Sequence, residues 1–218
     1  MKHRFDALLE ALADPAAPTS VHNRARARDV HIADSLVGLE LPEVRDAGRI
    51  ADLGAGAGLP GLVLAIERPQ AEIVLVESVG KKCAWMEATV ERLGLDNVRV
   101  VCARAEEVEA EPFDVVTARA LGSLAVVCEY AAPLLREGGV LVAWKGAVDA
   151  AEDADGLAAA EILGLERDTV LAVRPYPGSE RRTLYVFRKV RATPDRYPRR
   201  PGMAAKRPLS AGSRRPDR

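Results

Sequence analysis

Between Asp52 and Gly61 the chain reads DLGAGAGLPG, a glycine-rich turn directly after an apolar run. Glycine tolerates positive φ and lets a ligand come close to the backbone. Two ligand fingerprints overlap in this turn. Gly54-x-Gly56-x-Gly58 suits a loop for S-adenosylmethionine, whereas Gly56-x-Gly58-x-x-Gly61 spells the dinucleotide signature. The glycines that follow the strand without delay are Gly54 and Gly56. The dinucleotide spelling starts two residues late and puts Pro60 at its third variable position. Asp52 beside the loop would repel a pyrophosphate and attract the ammonium of a methionyl group, a difference that grows in a partly enclosed site. A sulfonium donor is therefore favoured over NAD. Glu77 follows Gly56 by about 20 residues, the separation at which an acid accepts the hydroxyls of an adenosine ribose. A solvated strand end is its plainer reading.

Four cations fall at the ends of apolar runs: Lys81, Arg104, Arg119 and Lys145. Gathered around one cleft they would face a polyanion; the alternative is four unrelated surface charges. Arg119 directly follows its strand, so a partly buried contact with the cofactor is also open. No Ser-His-Asp, Cys-His or HExxH arrangement is present. His3, His22 and His31 all lie in the N-terminal segment, away from the strand ends, and His31 reads as a packing or capping residue. Cys83, Cys102 and Cys128 are widely spaced, which argues for buried free thiols and no metal.

The elements that must position these residues alternate. Strands are predicted at Ile50–Leu53, Glu72–Glu77, Val98–Ala103, Phe113–Thr117 and Gly139–Lys145, then near Asp168–Val173 and Thr183–Lys189. Helices are predicted over Gly80–Gly94, Leu124–Leu135 (ended by Gly138-Gly139) and Ala147–Leu163, with Pro60 just inside the one after the glycine turn. Short apolar strands between amphipathic helices imply an α/β fold with a parallel sheet covered on both faces. The last two strands are joined only by the PYPGSE turn, so they pair antiparallel. Ligands bind such sheets at the carboxyl ends of the strands. Before the sheet, Phe5, Leu8, Leu9 and Leu12 share a helical face, and a second helix covers Arg26 to Leu39. This divides the chain into an N-terminal helical segment (1–47), a nucleotide-binding α/β domain (48–190) and a tail (191–218).

The 218 residues suit one domain of ordinary size. No apolar run is long enough to span a membrane, and the N-terminus does not read as a signal peptide, which points to a cytoplasmic protein. Of 31 Lys/Arg and 32 Asp/Glu, eleven and two lie in residues 188–218, leaving 20 and 30 in the body. A basic, proline-containing tail on an acidic body suits contact with polyanions, or a flexible solubilising end.

ADLGAGAGLPG, LVESVGKKCAWMEA, ARAEEV, FDVVTARA and LVAWKG together resemble the bacterial small-subunit ribosomal RNA guanine-N7 methyltransferases, the RsmG or GidB family. The resemblance runs from HIADSL at His31 to RTLYVFRK and RYPRRPGMAAKRPL, ending at Leu209. It implies a class I (Rossmann-like) methyltransferase fold, S-adenosylmethionine as donor and a guanine N7 of 16S rRNA as acceptor. The expected partner is 16S rRNA or the small ribosomal subunit, and a monomer is the default expectation. By the same resemblance Gly54, Leu59, Ala105, Glu106 and Arg119 match cofactor contacts, with Ala105 and Glu106 framing the adenine. Lys81, Arg104 and Lys145 match basic positions facing RNA or the target. The family carries a longer N-terminal helical region with Trp-Asn and Asn-Leu-Thr segments, where this chain has PAAPTSVHNRARARD.

Overall fold

The computed structural model describes residues 2–213. Seven strands form one sheet: β1 (Arg49–Leu53), β2 (Glu72–Glu77), β3 (Val98–Cys102), β4 (Phe113–Arg119), β5 (Leu135–Lys145), β6 (Leu165–Val173) and β7 (Arg182–Lys189), in the order β3-β2-β1-β4-β5-β7-β6. The first five are parallel, and β7 pairs antiparallel with both β5 and β6. The predicted mostly parallel sheet ending in an antiparallel hairpin is thus the observed one.

Alternate residues of the central strands feed two cores. Helices α1 (Lys2–Ala13), α2 (Arg24–Ala27), α3 (Asp34–Leu36) and α4 (Pro42–Asp46) precede the sheet. Ile50, Ile73, Leu75, Val115 and Val142 face α1, α5 (Gly61–Glu67) and α6 (Gly80–Leu93). Ala51, Val74, Val116, Leu141 and Phe187 face α7 (Leu124–Ala131) and α8 (Ala150–Leu163). Every side chain of α7 is buried, which fits its apolar sequence LAVVCEYA. The helix ends earlier than the glycine pair suggested. Pro133 lies in a 3-10 turn, Ala132–Leu134, and β5 starts at Leu135, with Gly138 inside the strand at φ +80°.

The N-terminal segment winds through abutting helical pieces from Arg24 to Glu40, including a π-helical stretch at Arg28–Ala33. Asn23 opens it by accepting a hydrogen bond from the Arg26 N–H. The segment lies against the carboxyl end of β5. There the Trp144 Nε1–H donates to the Asp34 carbonyl at 2.8 Å, and a side chain at Gly38 would collide with the indole.

A flexible tail does not describe residues 191–213. Ala204 and Leu209 bury themselves in the α7–α8 core, Tyr197 packs beside them, and Arg199 reaches the buried carboxylate of Glu129 on α7. Apolar anchors spaced among the basic residues hold this segment down. The last residues, 214–218, lie outside the described part.

Candidate cofactor and substrate site

The glycine turn is built on β1. Asp52 is fully buried, its Oδ2 accepting the Gly61 N–H at 2.8 Å and its Oδ1 accepting the Thr117 hydroxyl at 3.0 Å. Burial pushes its pKa up to about 6 against the opposing pull of those two bonds. The direct electrostatic role expected of Asp52 is therefore corrected: it presents no surface to a ligand and pins the start of α5 from beneath. That position is where a pyrophosphate would need free amides. A Cβ at Gly61 would sit 2.2 Å from Leu75 Cδ2, so this glycine serves helix–strand packing. Gly54, Gly56 and Gly58 all take positive φ, at 64°, 59° and 74°. Leu59 is buried in the core under the turn.

A cleft of about 330 Å³ opens beyond Gly54, at the carboxyl ends of β1, β2 and β3. Its floor is Glu77, only 6% exposed. The Glu77 Oε2 accepts the Gly56 N–H at 3.1 Å, and Oε1 accepts the N–H groups of Ser78 and Val79 at 2.9 and 3.0 Å. These amides fix the carboxylate while leaving part of its capacity for further donors. Arg104, Ala105 and Glu106 form the opposite wall, with Tyr130 from α7 closing the back. Lys82 Nζ stands 3.6 Å from Glu77 Oε2. Lys81, the cation expected at this edge, is exposed and does not line this cleft, where Lys82 stands beside Glu77.

A second cleft of about 560 Å³ lies between the N-terminal segment and the ends of β4 and β5. The two share Ala120 and Leu121 at their junction over Gly54. Ala120 holds φ +57°, sparsely populated for a residue with a Cβ, and such geometry clusters at functional sites. Arg119 lines the larger cleft with its side chain 13% exposed, held by Asp34 Oδ2 at 2.9 Å and the Val30 carbonyl at 3.4 Å. Burial lowers its pKa, and the Asp34 charge opposes that fall. Arg182 Nε is 3.0 Å from the other Asp34 oxygen. Lys145 donates to the Gly122 carbonyl and pairs with Glu152. Two of the four expected polyanion-facing cations are thus internally paired. Of those four, Arg104 keeps an exposed place at the edge of a cleft.

The structure brings together Gly54, Glu77, Arg104, Ala105 and Glu106 around the smaller cleft, and Arg119 and Lys145 around the larger. It leaves Lys81 outside and buries Leu59 and Asp52 beneath. Asp34, Arg182, Tyr130 and Lys82 escaped the sequence reading. Asp34 sits within HIADSL, the one polar motif before the sheet that carried a signal. His31, expected away from the strand ends, lines the larger cleft, its Nε2 2.8 Å from Thr19 Oγ1. Burial, then the nearby Arg119 charge, lowers its pKa to about 4. Cys83 and Cys128 are buried as expected, but Cys102 ends the edge strand β3 and is exposed.

An acid anchored at the end of β2, a side-chain-free Gly54 and the shared opening at Ala120–Leu121 fit a nucleoside linked to an amino-acid arm. With the terminal antiparallel hairpin, they define a class I methyltransferase fold. The profile described as "GidB: rRNA small subunit methyltransferase G" matches residues 3–181, and the chain belongs to that family. The ribosomal RNA small subunit methyltransferase G of Rubrobacter xylanophilus is 46% identical over 190 residues, 84% of this chain and 73% of that protein. The Roseiflexus castenholzii protein of the same name is 47% identical over 169 residues, 74% and 70% of the two chains. Among solved structures, a TehB-like SAM-dependent methyltransferase from Corynebacterium glutamicum aligns with TM-score 0.54 at 19% identity, covering 76% and 91%. A variant of MtNAS crystallised with S-adenosylmethionine aligns with TM-score 0.57 at 17% identity, covering 88% and 73%.

Proposed function

We propose that this chain transfers a methyl group from S-adenosylmethionine to N7 of a guanine in 16S ribosomal RNA. The observation that carries the reading is the pair of clefts joined over Gly54, one floored by a fixed carboxylate and the other lined by Arg119. When bound, the donor supplies an electrophilic methyl on a sulfonium. Glu77 would hold the ribose hydroxyls, Ala105 and Glu106 would hold the adenine, and Gly54, with Arg119, would receive the amino-acid arm. Guanine N7 carries a lone pair and no proton, so no general base is required. The residues then act by alignment and by excluding water. The target base enters the larger cleft, with Arg104 and the exposed basic tail residues on RNA phosphates.

Relatives named for the ribosomal small subunit support the rRNA acceptor. Another RNA or a small-molecule acceptor is the alternative, because fold alone does not choose the substrate. The protein acts as a cytoplasmic monomer. Among the described residues no helix is long and apolar enough to cross a membrane. Incubation with tritiated S-adenosylmethionine and small subunits lacking the modification tests the reading, with naked 16S rRNA in parallel. Label is expected at one guanine N7. Absence of label in both substrates overturns it.

A further inference from the structure

The tail of the chain reaches the wall of the smaller cleft. The Gly202 N–H donates to Glu106 Oε1 at 2.7 Å, and Tyr130 of α7 lines the same cleft. Glu106 is thus held by the tail, beside a residue of α7. Gly202 is itself fixed by what flanks it. On one side the Arg199 guanidinium grips Glu129, Nε on Oε1 at 2.8 Å and Nη2 on Oε2 at 2.6 Å, while the Arg199 N–H adds a bond of 3.1 Å. Glu129 is fully buried in the middle of α7, immediately before Tyr130. Arg199 Nη2 also donates to the Arg207 carbonyl at 2.9 Å, closing the intervening turn into a loop. On the other side the short helix α9 (Met203–Lys206) buries Ala204, and Leu209 follows it into the core.

From this geometry we infer that the segment 199–209 is a strap that positions Glu106 for the cofactor, with Arg199 as its clamp. The inference rests on the methyltransferase reading, in which Glu106 meets the adenine. The strap's other face carries Arg200 and Lys206, both exposed. A segment serving only as an RNA arm would put its cations outward and leave its backbone unattached. Here one cation is turned inward onto a buried acid, and a backbone amide is spent on a cleft residue. Without the strap, Glu106 loses the Gly202 anchor and its carboxylate swings more freely. The ordering then has to be supplied when the ligand binds, which weakens binding.

The test is calorimetric titration of the full chain with S-adenosylhomocysteine, alongside steady-state kinetics on the small subunit. Arg199→Ala is expected to weaken S-adenosylhomocysteine about tenfold and to raise KM for the methyl donor similarly, with kcat and the RNA KM within twofold. Arg199→Lys, which keeps one donor on Glu129, is expected to recover part of the loss. Arg200→Ala, on the outer face, is expected to leave S-adenosylhomocysteine affinity unchanged. If Arg199→Ala binds S-adenosylhomocysteine like the wild type and only the RNA KM rises, the strap is overturned and the tail is an RNA arm. Should Arg199→Ala fail to fold, hydrogen exchange on the wild type decides. Saturating S-adenosylhomocysteine should slow exchange in the peptide spanning Gly202, and an unchanged rate overturns the proposal. Failure of the wild type to bind S-adenosylhomocysteine would instead strike the methyltransferase reading itself.

Discussion

The carboxylate of Asp34 holds the guanidinium of Arg119 at 2.9 Å, joining the N-terminal helical segment to the end of β4. The same acid meets Arg182 at 3.0 Å, and its backbone carbonyl accepts the Trp144 indole N–H. Asp34 is therefore where the segment before the sheet locks onto strands β4, β5 and β7. Asp34 is fully buried and Arg119 nearly so. Removing one member of a buried pair leaves an uncompensated charge, which costs about 3–5 kcal/mol. Asp34→Ala is expected to lower the unfolding free energy by that amount in urea titrations, and Asp34→Asn by less because it keeps one acceptor. A loss below about 1 kcal/mol would mean that Arg119 escapes to water.

Asp52 makes a second test, this time of sign. Its folded pKa of about 6 lies above the ordinary carboxylate value of 3.8. Between those values the native state holds more protons than the unfolded one, so stability falls as pH rises through the window. By pH 7 the whole contribution, about 3 kcal/mol, has been lost. Asp52→Asn removes that slope. Its amide can donate to the Thr117 oxygen, whose hydroxyl then turns to the Ala51 carbonyl at 3.3 Å. Asp52→Ala strands the Gly61 N–H at every pH, a cost of about 1–3 kcal/mol. Chemical denaturation at pH 4.5 and 7 should show the wild type losing stability on going to the higher pH, relative to Asp52→Asn. Parallel curves would put the charge of Asp52 in solvent.

What the sequence displayed of all this was local. β1, the glycine turn and Glu77 stand out because apolar runs, turn glycines and one acid sit within a short span. The Asp34–Arg119 pair could not be read, because nothing in HIADSL says that this helix lies over β4. Lys82, next to the Lys81 named from the sequence, is the lysine beside Glu77, since one residue along a helix turns the side chain by about 100°. In the tail the many basic residues masked the sparse anchors Tyr197, Ala204 and Leu209, whose burial depends on a groove beside α7 that only the fold creates. Asp52 was legible as a residue of the site but not as a buried one, because burial belongs to Leu75 and α5 packed above it.

His31 gives the opposite pH dependence. Its folded pKa of about 4 lies below the ordinary 6.5, so the unfolded chain takes up the proton first. The stability that neutral His31 contributes is fully present above pH 6.5 and is lost as pH falls toward 4. The shift corresponds to about 1–2 kcal/mol after allowing for partial exposure. Urea midpoints at pH 7.5 and 5 should converge between wild type and His31→Gln at the lower pH, after differing at the higher one. If the gap stays constant, His31 is protonated without cost in the fold and its neighbour Arg119 does not feel it.

Gly54 and Leu121 test the junction of the two clefts. A Cβ at Gly54 would stand 2.5 Å from Leu121 Cδ1, and the backbone there has φ +64°. Gly54→Ala therefore has two separable effects. The backbone strain costs about 1 kcal/mol of stability. The collision pushes the Leu121 side chain, whose far end can rotate, into the opening that both clefts share. S-adenosylhomocysteine affinity is expected to fall about tenfold, or about 1.4 kcal/mol. Leu121→Ala in the same chain removes the collision but leaves the strain. The double variant should thus recover cofactor affinity to within about threefold of wild type while its melting temperature stays low. Calorimetry and thermal unfolding on the same four proteins separate the terms. If affinity stays low in the double variant, the conformation of the glycine turn, and not the width of the junction, controls binding.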